Sequence, residues 1–218
     1  MNVFTSRLYD QYARIAKVLG SPRRIDLLEL LAQAPRSVED LAQLTGMSIA
    51  NTSQHLQQLR QARMVDAEKK GLYVIYRLAS PAVQTFLGQL AELAQTQLAE
   101  VRQVEAEFQA QTQAQVPTWQ SVDLAELEAR LKAGALLLDV RPPEEFAAGH
   151  LPGALSAPLP ELAQRMAQLS KGQSIIAYCR GPYCLFAIEA VHQLTAHGYD
   201  ARHYREGMAG WLKRAKAV

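Results

Sequence analysis

The sequence predicts a two-domain protein, in which a mainly α-helical domain is followed by an α/β domain with a parallel sheet covered by helices. Apolar residues recur at helical spacing through most of residues 5–62. In the second half, short apolar runs alternate with helical patterns, which is typical of parallel sheets. A glutamine-rich segment ending at Pro117 indicates a linker. We therefore place the domains at residues 1–112 and 119–218, with the linker at residues 113–118.

Composition sets the broad class of the protein. The chain has 218 residues, of which 49% are hydrophobic and 20% charged, as expected for folded globular domains. It contains no apolar run of membrane-spanning length and no N-terminal signal pattern, so we expect a cytoplasmic protein without a membrane partner. The net charge is only +2, but residues 1–79 hold 11 Lys and Arg against 7 Asp and Glu. This local excess permits nucleic-acid binding.

Four helices are predicted in the first domain. The first helical pattern spans residues 5–18 and stops before Gly20. The next three helices each open at a serine suited to cap a helix start. These serines are Ser21, Ser37 and Ser48.

The third and fourth helices are joined by a short turn at residues 45–48, as in a helix-turn-helix. If Leu56 and Leu59 face the core, the opposite face of the fourth helix is uncharged and rich in amides. Asn and Gln can read adenine edges in a major groove, although an ordinary solvated face has the same composition. The DNA-facing candidates from this pattern are Ser48, Asn51, Gln54 and Gln57.

A β-hairpin is predicted directly after this helix, at residues 64–78. Its tip carries Lys69, Lys70 and Gly71. A basic hairpin after a recognition helix makes a winged helix, whose lysines can reach backbone phosphates.

Residues 5–79 resemble the ArsR family of dimeric bacterial repressors. The likeness lies in residues 53–56 (SQHL), in Leu59-Arg60 and in the strand at Val65. It implies a homodimer on double-stranded DNA with a two-fold operator, and it adds Ser53 and His55 to the DNA-facing candidates. For His55 a packed structural role is the alternative.

Many members of that family sense metals, through cysteines on the third helix or an Asp/His/Glu cluster on the last helix. Residues 37–45 contain no cysteine, and residues 80–112 contain no histidine or aspartate. We therefore predict no metal site, and we expect the signal to enter through the second domain.

One long helix is predicted over residues 81–112. Its apolar stripe, which includes Leu87, Leu98 and Phe108, suits packing against a partner helix. We assign it, with the helix at residues 5–18, to a dimer interface; packing within the domain is the alternative.

The second domain alternates predicted strands at residues 136–140, 174–178 and 201–204 with predicted helices at residues 124–131, 159–169 and 184–196. Reactive groups in such sheets collect at the carboxyl ends of strands. Asp139, Arg141 and Cys179 all fall there. We expect Asp139 and Arg141 to support the neighbouring loop as an ion pair.

The only two cysteines, Cys179 and Cys184, bracket a loop between a strand and a helix. A thiolate at a helix start is stabilised by unpaired N–H groups and by the helix dipole. Within the loop, Arg180 adds positive charge, Gly181 lets the backbone curl, and Pro182 stiffens the turn before Tyr183. The alternative is a buried structural cysteine.

The second domain resembles the rhodanese (sulfurtransferase) family over about residues 119–214. The likeness rests on residues 136–141 (LLLDVR), 143–146 (PEEF), 149–154 (GHLPGA) and 205–211 (REGMAGW), where Glu206 replaces the first glycine of the closing motif. It implies that Cys179 forms a persulfide without a bound cofactor.

One departure from that family bears on the chemistry. Cys184 stands where active rhodaneses carry a cation for an oxyanionic donor, so we expect poor thiosulfate turnover unless Arg180 substitutes. Position 185 is leucine, where related phosphatases and arsenate reductases need arginine.

These observations support three hypotheses. The first is a dimeric repressor that senses reactive sulfur or an oxidant through Cys179 and Cys184. The second is a sulfurtransferase that the winged helix localises. The third is a repressor that captures arsenite or another soft ion between the two thiolates. We expect His150, His192, His197 and His203 to be structural or solvated.

Overall fold

The computed structural model describes residues 2–113 and 120–215. Apart from Gln113, the predicted linker at residues 113–118 lies outside the described residues. The chain forms two compact units that divide between Leu98 and Ala99.

The first unit contains the predicted helices and hairpin. Its helices are α1 (Val3–Leu19), α2 (Pro22–Gln33), α3 (Val38–Thr45), α4 (Ile49–Gln61) and α5 (Pro81–Gln97). Its strands are β1 (Arg36–Ser37), β2 (Val65–Lys70) and β3 (Tyr73–Leu78), in the antiparallel order β1-β3-β2. The two-residue strand β1 was not predicted.

Two of the three predicted serine caps form hydrogen bonds. The Ser37 hydroxyl accepts from the Asp40 amide at 3.1 Å, and the Asp40 carboxylate accepts from the Ser37 amide at 3.3 Å, which completes a capping box at α3. The Ser48 hydroxyl accepts from the Asn51 amide at 3.2 Å. Ser21 occupies the N-cap position of α2, but its side chain makes no capping bond. Pro22 at the first helical position is therefore the stronger start signal there.

The core of the first unit fixes the helix-turn-helix. Its fully buried leucines come from α2, α3 and α4, and they are Leu27, Leu28, Leu41, Leu56 and Leu59. The base of the wing adds Val65 and Tyr76 to this cluster. Truncating such a leucine to alanine typically costs about 2–5 kcal/mol, so this packing determines how α4 is presented.

The single helix predicted over residues 81–112 is wrong. Helix α5 ends at Gln97, Leu98 is extended at φ −106° and ψ 114°, and a separate helix α6 runs over Ala99–Gln113. Apolar periodicity did not reveal the break, because Leu98 itself fits the apolar stripe. Helix α6 belongs to the second unit, where Phe108 packs against the core. The division therefore falls earlier than the predicted end of the first domain at residue 112.

The second unit is built on a five-stranded sheet in the order β4-β8-β7-β5-β6. All its strand pairs are parallel. The strands are β4 (Ser121–Val122), β5 (Leu136–Asp139), β6 (Leu155–Ser156), β7 (Ile175–Tyr178) and β8 (Ala201–Tyr204). The predicted parallel sheet is confirmed, and the short strands β4 and β6 were missed.

Helices cover this sheet. Besides α6 they are α7 (Leu124–Lys132), α8 (Pro143–Ala148), α9 (Leu162–Met166), α10 (Leu185–Ala196) and α11 (Gly207–Ala215), and a 3₁₀ turn at Leu159–Glu161 precedes α9. The helix predicted over residues 159–169 is shorter than expected, and α8 and α11 were not predicted. None of the helices in residues 2–113 and 120–215 is long and apolar enough to cross a bilayer.

Strand β7 lies at the centre of the second unit. Its four residues are fully buried, and their side chains contribute to apolar clusters on both faces of the sheet. Parallel pairing sets Tyr178 beside Asp139 of β5. The carboxyl ends of these two strands therefore meet where Cys179 begins the loop.

Candidate functional site

The cysteine loop connects the end of β7 to the start of α10. Cys179 follows Tyr178 directly, and Cys184 is the N-cap residue of α10. The two sulfurs form a disulfide, with 6.2 Å between the Cα atoms. Cys179 is only 2% exposed, whereas Cys184 is half-buried. The structure thus brings together the two thiols that the sequence singled out.

The start of α11 holds the loop backbone. The Met208 amide donates to the Cys179 carbonyl at 2.9 Å, and the Ala209 amide donates to the Arg180 carbonyl at 2.8 Å. Gly207 adopts φ +54°, and a Cβ placed there would lie 2.4 Å from the Cys179 carbonyl oxygen. A residue without a side chain is therefore needed for this close approach.

Arg180 is paired with Glu145 of α8. The Arg180 Nε donates to both Glu145 carboxylate oxygens at 3.1 and 3.0 Å, and Nη2 donates to Oε1 at 2.6 Å. The Glu145 side chain is fully buried and that of Arg180 is 24% exposed. The positive charge that the sequence offered for an oxyanionic donor is therefore already offset. Glu145 was missed because it lies 35 residues from Arg180.

Asp139 and Arg141 form a buried ion pair under the loop. The Arg141 Nη2 donates to the Asp139 Oδ2 at 2.6 Å and to the Gly149 carbonyl at 2.7 Å. The Tyr178 hydroxyl donates to the same Asp139 oxygen at 2.6 Å and accepts from the Leu151 amide at 3.0 Å. Sequence reasoning missed Tyr178, whose hydroxyl ties β7 to β5.

The charges in this network shift two pKa values. Burial raises the pKa of Tyr178, and the neighbouring Asp139 carboxylate raises it further. Burial alone would lower the pKa of Arg141, but its bond to Asp139 outweighs this and the pKa is raised. Tyr178 is thus held as a neutral donor and Arg141 as a cation.

Helix α6 contacts the cysteine loop at Tyr183. The Tyr183 hydroxyl donates to the Glu105 carboxylate. The Phe108 ring meets the Tyr183 ring edge-on, with 5.7 Å between centroids and 81° between planes. Phe108 also packs on the core cluster that Cys184 and Phe186 border. Phe108 was expected in a dimer interface, and the structure places it here instead.

The DNA-facing candidates lie on α4 and the wing of the first unit. Six are exposed, namely Ser48, Asn51, Gln54, Gln57, Lys69 and Lys70, and two are half-buried, namely Ser53 and His55. The His55 Nδ1 is buried and has no hydrogen-bond partner in the described part of the chain. Leu72, which sequence reasoning did not select, is 95% exposed between the two wing strands.

Each of the two units matches a known protein family. Residues 21–67 match the model described as "Bacterial regulatory protein, arsR family", and residues 123–214 match the rhodanese-like domain model. The HTH-type transcriptional regulator Rv0324 of Mycobacterium tuberculosis is 38% identical over 205 residues, which cover 94% of this chain and 88% of that protein. The chain belongs to the ArsR family of transcriptional regulators. Its rhodanese-like domain follows the winged helix.

Two further relatives of this ArsR-family regulator each match one domain. A sulfurtransferase of Allochromatium vinosum is 30% identical over 100 residues, covering 44% of this chain and 92% of that one. The solution structure of a homodimeric winged helix-turn-helix DNA-binding domain of Mycobacterium bovis is 34% identical and covers 46% of this chain and 93% of that chain, with a TM-score of 0.43.

The described histidines of this ArsR-family regulator form no metal-binding group with its cysteines. Within residues 2–113 and 120–215, no three His, Cys, Asp or Glu side chains are grouped so that they could hold a metal ion. His203 of β8 is 8% exposed, and its Nδ1 lies 3.2 Å from the Ser121 hydroxyl. Burial and, to a smaller extent, the positive charge of Arg205 together lower the pKa of His203 to about 4.

His203 makes the second unit of the ArsR-family regulator sensitive to acid. Its folded pKa is below the ordinary value of 6.5, so its contribution to stability is complete above pH about 6.5 and is lost as pH falls toward 4. At about 1.4 kcal/mol per pKa unit, the loss between pH 6.5 and pH 5 is about 2 kcal/mol. Urea unfolding at several pH values measures this loss, and His203→Asn should remove most of it. Identical pH dependence in both proteins would contradict the assignment.

Proposed function

We propose that this regulator is a homodimeric repressor whose rhodanese-like domain senses reactive sulfur or redox state through Cys179 and Cys184. The observation that carries the proposal is the placement of both cysteines in one short loop, joined as a disulfide, next to a tyrosine that contacts α6. Helix α6 begins directly after Leu98, the last residue of the first unit. The two cysteines therefore lie next to α6, the helix through which we propose that the signal leaves the second unit.

The chemistry needs two thiols. The Cys179 thiolate attacks the outer sulfur of an organic persulfide, takes that sulfur as its own persulfide and expels the organic thiolate. The Cys184 thiolate then attacks the Cys179 sulfur, closes the disulfide and expels hydrosulfide. With peroxide, Cys179 is oxidised to a sulfenic acid, and condensation with the Cys184 thiol forms the same disulfide and water.

Exposed apolar side chains on α1 and α5 support a homodimer. Phe4 is 75% exposed, Tyr12 59% and Leu93 59%. On α1, the rings of Tyr9 and Tyr12 lie 6.1 Å apart, and exposed apolar side chains that group together mark protein interfaces. The proposed partner is a second copy of the chain, because the ArsR family binds DNA as dimers and a two-fold protein suits a two-fold operator.

The DNA contacts are proposed on α4 and the wing. Asn51, Gln54 and Gln57 would contact base edges in the major groove, since their side chains are exposed on α4. Lys69 and Lys70 at the end of β2 would contact phosphates. The Ser48 oxygen already caps α4, which leaves its proton available to a phosphate.

Helix α6 is the proposed output. Tyr183 directly precedes Cys184 in the chain, and with the disulfide closed its ring contacts Phe108 and its hydroxyl donates to Glu105. Opening the disulfide frees the loop backbone between the cysteines, so that these contacts with α6 are weakened. Because α6 follows α5 in the chain, we propose that a loosened α6 lets α5 move. The exposed apolar side chains of α5 contribute to the proposed dimer, so the dimer would change with it.

DNA affinity should therefore depend on the state of the cysteines. We expect operator dissociation constants of oxidised and reduced protein, measured by fluorescence anisotropy, to differ at least about fivefold. Phe108→Ala should abolish the difference. Val104→Ala, on the same helix at a residue that is 64% exposed, should preserve it. Equal affinities of oxidised, persulfidated and reduced wild-type protein would contradict the sensing function, and an unchanged difference in Phe108→Ala would contradict the role of α6.

A sulfurtransferase is the second candidate function, and likeness to the Allochromatium vinosum sulfurtransferase favours it. The Arg180–Glu145 pair argues against thiosulfate as a donor, whereas an organic persulfide does not need a free cation. Repeated sulfur transfer from such a persulfide to cyanide, lost in Cys179→Ser, would support this function. A single turnover per protein would support the sensor instead.

A further inference from the structure

The two sulfurs of the disulfide differ in access. Cys179 is 2% exposed and belongs to a core cluster with Ala177 and Ala187. Cys184 is half-buried and borders that cluster. Its chain neighbours Tyr183 and Leu185 are both 52% exposed. The Cys179 side chain thus lies in the core, and the Cys184 side chain lies at the edge of the core.

This difference matters because thiol–disulfide exchange depends on which sulfur is attacked. An incoming thiolate must approach a sulfur along the S–S axis, from the side opposite the sulfur that leaves. At Cys179 that approach requires passage through packed side chains and a backbone held by α11. Cys184 is the more exposed of the two cysteines and stands between two exposed residues, so we expect the easier approach there.

We propose that Cys184 is the entry point when hydrosulfide or a small thiol opens the closed loop. The inference rests on the proposed function, since it concerns the same disulfide. Hydrosulfide attacks the Cys184 sulfur, a new S–S bond forms there, and the bond to Cys179 breaks. Cys184 then carries the persulfide, and Cys179 leaves with the electron pair as a thiolate.

A second exchange can move the sulfur inward. The Cys179 thiolate attacks the outer sulfur of the Cys184 persulfide, takes that sulfur and releases the Cys184 thiolate. The overall change adds hydrosulfide to the disulfide, giving one persulfide and one thiolate, so no further oxidant is needed. The persulfide on Cys179 therefore arises through Cys184 when the loop starts closed. In reduced protein, where no disulfide constrains the loop, an organic persulfide loads Cys179 directly.

The regiochemistry is directly measurable because trypsin separates the two cysteines. Cleavage after Lys171, Arg180 and Arg202 places Cys179 on residues 172–180 and Cys184 on residues 181–202. Oxidised full-length protein is exposed briefly to glutathione, quenched in acid with N-ethylmaleimide, digested and analysed by mass spectrometry. Extrapolated to zero time, glutathione should favour the Cys184 peptide at least about tenfold, with maleimide on the Cys179 peptide. Equal labelling, or an excess of glutathione on Cys179, would overturn the proposal.

The matched control is the same oxidised protein unfolded in guanidinium chloride. Burial is then removed, and the ratio should fall to within about threefold of unity. A preference that persists in the unfolded chain would assign the selectivity to the local sequence and would overturn the burial argument. If peroxide forms no disulfide, the proposed switch and this inference fail together. If the disulfide forms and opens at Cys179, only this inference fails.

Discussion

Asp139→Ala is expected to lower the free energy of unfolding of the second unit by about 3–5 kcal/mol, since it removes the carboxylate that pairs with a buried cation. Arg141 is 1% exposed and Asp139 is fully buried. The substitution also removes the acceptor of the Tyr178 hydroxyl. The Gly149 carbonyl would still accept from the Arg141 guanidinium. The fluorescence of Trp211 during urea unfolding reports on this unit, because Trp211 packs against its core and residues 1–98 contain no tryptophan.

Glu161→Ala provides the matched control. Glu161 pairs with Arg165 at 2.9 Å, but both side chains are largely exposed, at 48% and 44%. An exposed pair of this kind contributes about 0.5 kcal/mol or less. Similar losses in the two variants would show that burial does not set the strength of the Asp139–Arg141 pair.

Gly207→Ala is expected to cost about 2–5 kcal/mol, from backbone strain together with a steric clash. Its φ is +54°, and the added Cβ would lie 2.4 Å from the Cys179 carbonyl oxygen and 2.9 Å from the Gly181 amide nitrogen. Both of these atoms belong to backbone, so neither can rotate away. The loop would have to move from α11. Urea unfolding followed by tryptophan fluorescence gives the stability, and the rate of disulfide closure with peroxide reports on the loop.

Gly198→Ala separates the two causes. Gly198 has φ +81°, but a Cβ placed there meets no atom within 4 Å. Its cost should be the conformational part alone, about 1 kcal/mol. If Gly207→Ala cost no more than Gly198→Ala and closed its disulfide at the wild-type rate, close packing of the loop on α11 would not matter for stability.

Local signals predicted much of this fold. The capping box at Ser37 and Asp40, the turn at Gly46 and the amide-rich α4 all depend on residues within a few positions of one another. The parallel sheet follows from the alternation of strands and helices. Strands β1, β4 and β6 have two residues each. They exist through pairing with distant strands, which leaves no periodic pattern in the sequence.

The candidate site was predicted only in part, for the same physical reason. Cys179 and Cys184 were visible because they are close in sequence. Their partners are distant, since Glu105 lies 78 residues from Tyr183 and Asp139 lies 39 from Tyr178. Helical periodicity placed Phe108 in an apolar stripe and led to the prediction of a dimer interface, not of its contact with Tyr183. Only the folded chain identifies Tyr183 as the residue that joins the loop to α6.

The pairing of Arg180 with Glu145 has a consequence for selectivity. Two opposite charges in one tight pair create almost no field at a distance, and Asp139 and Arg141 cancel in the same way. Because their charges cancel, these two pairs neither attract nor repel an incoming ion strongly. The thiolate itself is then the main charge that an incoming molecule meets at the loop. Under the proposed function, size and intrinsic reactivity would do the sorting. The domain would then measure the total load of small reactive sulfur species in its surroundings instead of the concentration of one compound.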